Sequence, residues 1–166
     1  MTQKTIFPIT VLLLVLVTEG CGFKLRGIHS LPASISPLFI EGVSREHELT
    51  NALTSQLKSA GILIIDERKE ANAILRLSDY SSDRRVVALN KSGKVAEYEL
   101  HEALRFELVD GSGTELVSSQ QVSLLQSYVN PEDRVLGKQL EEDFLRRDMR
   151  RDLADQIIRR LETQLQ

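Results

Sequence analysis

Cys21 is the only cysteine in a chain of 166 residues, and it stands just behind an apolar run from Ile6 to Val17. One thiol cannot close an internal disulfide, and a place at the edge of a leader suits attachment of lipid better than catalysis or metal ligation. A second group with chemical potential is cationic. Arg84 and Arg85 precede a turn, Lys91 and Lys94 flank its glycine, and Arg134 and Lys138 lie in or near the loop before the last helical stretch. If the strand ends converge, these side chains can meet phosphate or carboxylate groups, arginine as a fork and lysine as a point charge. A third grouping is His101 with Glu97 or Glu99, the residues a hydrolase would use here as base and carboxylate. Neither that grouping nor His29 and His47 sits in a metal, phosphate-loop or nucleophile motif, so no cofactor is expected and the reading is non-enzymatic.

The leader runs in the order of an export signal: Lys4 as the positive region, twelve residues from Ile6 to Val17 as the apolar region, then small Gly20 before the cysteine. It falls short of the roughly 20 apolar residues that span a bilayer. Residues 1–20 are therefore read as a lipoprotein signal peptide. Acyl chains on Cys21 would then anchor the processed chain at ~0.8 kcal/mol per buried methylene. Gly22 is not the aspartate that resembles an inner-membrane retention signal, which points to the periplasmic face of the outer membrane. The net charge of −3 gives no support for nucleic-acid binding.

Residues 21–37, with Gly27, Pro32 and Pro37, read as a lipidated N-terminus and linker, and residues 38–166 as one domain. Leu38 to Val43 predicts a strand. Ser44 is the expected N-cap of a helix whose Leu49, Leu53 and Leu57 recur every fourth residue and which Gly61 ends. Ile62 to Ile65 is a short apolar run. From Ala73 the period becomes two, through Leu75 and Leu77 to Val86 and Val87, and Asn90 to Gly93 supplies a turn. Ala96, Tyr98, Leu100, Leu104, Phe106 and Leu108 then alternate with Glu97, Glu99, His101, Arg105 and Glu107, so one face meets a core and the other water. Asp110 to Gly113 turns the chain into a strand from Leu116 to Tyr128 rich in Ser and Gln. Leu136 to Leu165 is helical, with Leu140, Phe144, Met149, Leu153, Ile157, Leu161 and Leu165 as its stripe. Glu142 with Arg146, Asp143 with Arg147 and Asp155 with Arg159 are spaced to pair along it. The expected class is α+β, two helices on one face of a four-stranded mixed, mostly antiparallel sheet whose other face is polar and free.

Several segments together resemble the LPS-assembly lipoprotein family LptE, also called RlpB. They are Cys21-Gly-Phe-Lys-Leu-Arg-Gly27, Gly93 through Ala96, Glu97 and Tyr98, then Ser127, Tyr128, Asn130 and Pro131, and Asp155-Gln-Ile-Ile-Arg-Arg-Leu161. The resemblance implies a domain that plugs and helps assemble the outer-membrane β-barrel LptD and contacts lipopolysaccharide during transport to the outer leaflet. It further implies that Lys91 and Lys138 are the leading lipopolysaccharide contacts, with Lys94, Arg84 and Arg134 beside them. Two other readings remain open at this point: a free-standing outer-membrane lipoprotein for another envelope ligand, and a lipid-anchored periplasmic hydrolase built on His101.

Overall fold

The computed structural model describes residues 30–44, 46–130 and 138–166, and of Lys138 the backbone alone. Residues 1–20, read above as a signal peptide, Cys21 and Arg134 lie outside the described residues. Four strands, β1 (Leu38–Glu41), β2 (Ala73–Leu89), β3 (Val95–Asp110) and β4 (Glu115–Val129), pair in that order. β1 runs parallel to β2, and the other pairs are antiparallel. Two helices, α1 (Glu48–Ser59) and α2 (Lys138–Leu165), pack on one face of this sheet, as the alternating and four-residue periods predict.

α1 carries Leu49, Leu53 and Leu57 on its inward stripe, all fully buried against Leu75, Leu77, Phe106 and Leu108 of the sheet. Burial of such side chains stabilises by roughly 2 kcal/mol each. The helix starts later than Ser44 suggests. His47 is its N-cap, its Nδ1 accepting from the Leu49 amide at 3.3 Å, while the Ser44 hydroxyl donates to Glu46. Burial and the nearby Arg150 charge hold the His47 imidazole below its ordinary value, which favours the neutral ring that can accept this bond. Ile62 to Ile65 enters beside the sheet through a single parallel bridge, Ile64 with Leu38.

The segment read as a linker is partly core. Leu31 and Ile35 are buried in the main apolar cluster, and the Ser30 amide donates to Glu162 near the end of α2. Two apolar residues a turn apart among prolines carry too little period to declare this. Gly42, just past β1, adopts φ 110°, and a Cβ there would lie 1.8 Å from the Leu77 carbonyl oxygen. Only glycine lets the chain cross β2 this closely.

The stripe of α2 divides in two. Met149, Leu153, Ile157 and Leu161 are buried, joined by Ala154 and Ile158, but Leu140 is 71% and Phe144 58% exposed. The N-terminal half of α2 turns other residues inward. Among the described residues its ion pairs at i,i+4 are Glu142 with Arg146 at 2.9 Å and Asp155 with Arg159 at 3.9 Å, whereas Asp143 and Arg147 form none. The outer sheet face carries ion pairs, Arg76 with Glu41 and Glu107, Arg105 with Asp79, and Arg85 with Glu99. It is not wholly polar: Ala71, Ile74 and Val109 form a small apolar cluster there with Phe39 and Ile65.

Candidate functional site

A β-bulge determines which residues β2 offers to the helices. Between the pairs Ser78–Arg105 and Ser81–Ala103, β2 contains one extra residue, and Asp79 sits in the left-handed region at φ 52° with Arg105 bound to its carboxylate at 3.2 Å. An extra residue reverses the alternation. Before it, Ala73, Leu75 and Leu77 point inward; after it, Ser82, Arg84 and Val86 lie opposite Glu102, Leu100 and Tyr98. The helix-facing side of the sheet therefore changes from apolar to polar along its length.

At the change lies Glu102, fully buried between sheet and helices. Its carboxylate accepts from Tyr80 at 2.6 Å, Ser82 at 2.7 Å and Arg146 at 3.1 Å, with Arg150 at 3.5 Å. Arg150 also donates to Tyr80 and pairs with Glu48, so the cluster joins β2, β3 and both helices. Burial, reinforced by the bond to Glu102, pushes the Tyr80 hydroxyl above its usual value. The signal for this hub was parity: Glu102 falls between Leu100 and Leu104 on the even, core-facing side of β3, where an unpaired carboxylate would be costly.

One turn earlier in α2, Glu142 closes a second cluster. It accepts from Arg84 and from the Tyr128 hydroxyl, each at 2.7 Å, and from Arg146 at 3.0 and 2.9 Å. The Arg84 guanidinium also lies over the Tyr98 ring, 4.6 Å from its centre. Burial alone would raise Glu142, but these donors outweigh it and hold the carboxyl below its ordinary value. The unfolded chain then takes up a proton first as pH falls. The stabilisation is complete above the ordinary glutamate value of 4.5 and is lost as pH drops through the lower folded value. Glu142→Gln should therefore cost about 1–2 kcal/mol at pH 7 and flatten the decline in urea midpoint below pH 4.5, as measured by unfolding across pH.

Beside this cluster a cleft of about 530 Å³ opens between the sheet end and the start of α2, lined by Arg84, Tyr98, Tyr128, Asn130, Gln139, Glu142 and Asp143. The β2–β3 turn lies at this same end. Asn90 Oδ1 accepts from the Ser92 and Lys94 amides and rigidifies the turn that carries exposed Lys91 and Lys94. Asn130 fastens the end of β4 to it through the Val95 carbonyl at 2.8 Å. The topology thus brings Arg84, Lys91 and Lys94 to the end of the sheet where the backbone of Lys138 begins α2. Arg84 already has Glu142 as counter-charge. On the outer face, His101 Nδ1 is 4.0 Å from Asp83, and Glu99 is taken by Arg85, so His101 and Glu99 each have another partner.

Residues 35–161 match the family described as LptE, lipopolysaccharide-assembly. The chain belongs to this family. Similar proteins include the LPS-assembly lipoprotein LptE of Pectobacterium atrosepticum, 30% identical over 97% of this chain and 87% of that one, and that of Yersinia enterocolitica, 32% identical over 90% and 72%. Among solved structures, an uncharacterized lipoprotein B from Nitrosomonas europaea superposes with a TM-score of 0.69 at 27% identity, covering 85% of this chain and 90% of that one. The rare lipoprotein B of Shewanella oneidensis gives 0.66 at 26%, covering 77% and 95%. The four-stranded sheet with two helices is the family's fold.

Proposed function

We propose that this lipopolysaccharide-assembly family member is an outer-membrane lipoprotein held by acyl chains on Cys21, after removal of residues 1–20, and that it plugs and helps assemble the β-barrel LptD. In this reading lipopolysaccharide is met at the β2–β3 turn by Lys91 and Lys94 and at the start of α2 by Lys138, with Arg84 and Arg134 flanking. The supporting observation is the family membership joined to a cationic turn at the sheet end where α2 begins. Exposed Ser118, Ser119, Gln121, Ser123, Gln126 and Ser127 on β4 also suit the polar lumen of a wide barrel.

Detergent extraction followed by affinity purification should recover the protein with a large barrel that survives stringent washing and is identified by mass as LptD. Recovery without any barrel would overturn the plug assignment. Cys21→Ala should remove membrane attachment when the barrel is absent, read by fractionation; persistence in the membrane fraction would contradict the lipid anchor.

A further inference from the structure

The cleft beside Glu142 differs from the lysine-bearing turn in the chemistry it offers. Its described lining carries one guanidinium against two carboxylates, and that guanidinium is already bonded to Glu142. An anion entering here would face Asp143 and a cation whose charge is spent. Both oxygens of Glu142 are occupied by Arg84, Tyr128 and Arg146, so Glu142 builds the floor and is not free to bind anything else.

The remaining polar groups are of a different kind. Among the described residues Gln139 and Asp143 have no hydrogen-bond or ionic partner, and Asn130 uses its amide nitrogen on Val95 while its carbonyl oxygen is uncommitted. These three planar groups, two amides and a carboxylate, offer both donors and acceptors around a cavity wide enough for a ring-sized ligand. Half-buried Tyr98 adds aromatic edge to the cleft, and beside it, with ring centres 5.7 Å apart, lies Tyr128, buried with its hydroxyl on Glu142. Donors and acceptors beside aromatic carbon match a molecule with many hydroxyls and apolar C–H faces and without charge.

From this lining we infer that the cleft is a saccharide subsite, taking an uncharged, hydroxyl-bearing sugar ring, with Asn130, Gln139 and Asp143 as its hydrogen-bonding groups. The inference rests on the lipopolysaccharide reading above and deepens it. Phosphates go to the lysine turn, and a neutral sugar of the same glycolipid goes to the cleft. Anionic groups are repelled from it by the Asp143 carboxylate.

The test uses the processed protein in detergent and follows backbone amide shifts during titration with three probes. These are oligosaccharide freed of acyl chains and phosphates, inorganic phosphate, and intact lipopolysaccharide. The dephosphorylated oligosaccharide should shift amides at Tyr98, Tyr128 and Gln139, and Asp143→Ala or Gln139→Ala, both at exposed positions outside the buried network, should weaken it about tenfold each. Phosphate should leave the cleft amides unmoved. Shifts absent from the cleft, shifts reproduced by phosphate alone, or sugar binding indifferent to both substitutions would overturn the subsite. Failure of the wider reading has a separate signature, because intact lipopolysaccharide would then be indifferent to Lys91 and Lys138 as well.

Discussion

Glu102→Gln should lower the unfolding free energy by about 3 kcal/mol, the low end of the range for removing one member of a buried ion cluster. The glutamine keeps the shape and can still meet Tyr80 and Ser82, but Arg146 and Arg150 lose the carboxylate between them. Each arginine retains another partner, Glu142 for Arg146 and Glu48 for Arg150, which keeps the cost from going higher. The measurement is urea unfolding, with a lower midpoint at unchanged slope. A change under about 1 kcal/mol would show that the arginines are held by their other carboxylates alone.

The local consequence follows from the way α2 is divided. Beyond Arg150 its grip on the sheet is mainly apolar, through Leu153, Ala154, Ile157, Ile158 and Leu161, with Arg160 donating to Gln120 and to the Gln121 carbonyl of β4. Before Met149 it is held through Arg146 and Glu142 together with partly buried Leu145, which packs against the cluster of Leu100 and Tyr128, while Leu140 and Phe144 lie in solvent. Loss of Glu102 should therefore raise amide hydrogen exchange across residues 139–147 well before residues 153–161 respond. A uniform change along the helix would argue that the two halves open together.

What the sequence made legible was whatever repeats with an unbroken period. The stripe of α1 and the even face of β3 are regular, and each predicts its burial. The class, two helices on a mixed four-stranded sheet, follows because these stripes have only one another to cover. The illegible parts are where a period is interrupted. The extra residue at Asp79 moves Ser82, Arg84 and Val86 to the helix side, which no alternation through β2 announces in advance. Leu140 and Phe144 keep the spacing of the α2 stripe, yet they are largely exposed, on a stretch of helix whose Glu142 and Arg146 meet polar groups of the sheet. Sequence spacing shows which residues share a helix face, but the facing partner decides whether that face is buried. The cationic group illustrates the same limit. Arg84 reads like Lys91 in the chain, but a contact 58 positions away with Glu142 gives it a structural duty.

That distinction governs the second large effect expected. Lys91→Asp combined with Lys138→Asp should weaken lipopolysaccharide binding by ~30-fold or more. A basic residue near an anionic lipid surface contributes about 1 kcal/mol, and two lost contributions correspond to about that factor before the added repulsion of the new carboxylates. Stability should barely change, because Lys91 is exposed on a turn whose geometry is held by Asn90, and surface substitutions of this kind stay within about 0.5 kcal/mol. Arg84→Ala should behave in the opposite way. It strips Glu142 of a donor and Tyr98 of its cation, so it costs stability first and affinity second. Titration at two salt concentrations separates the cases: the lysine contribution should shrink as salt rises, since exposed charges are screened, whereas the Arg84 deficit should persist. Lysine variants that bind as well as the native chain at low salt would remove the turn from the binding surface and leave the family's activity to be carried elsewhere on the fold.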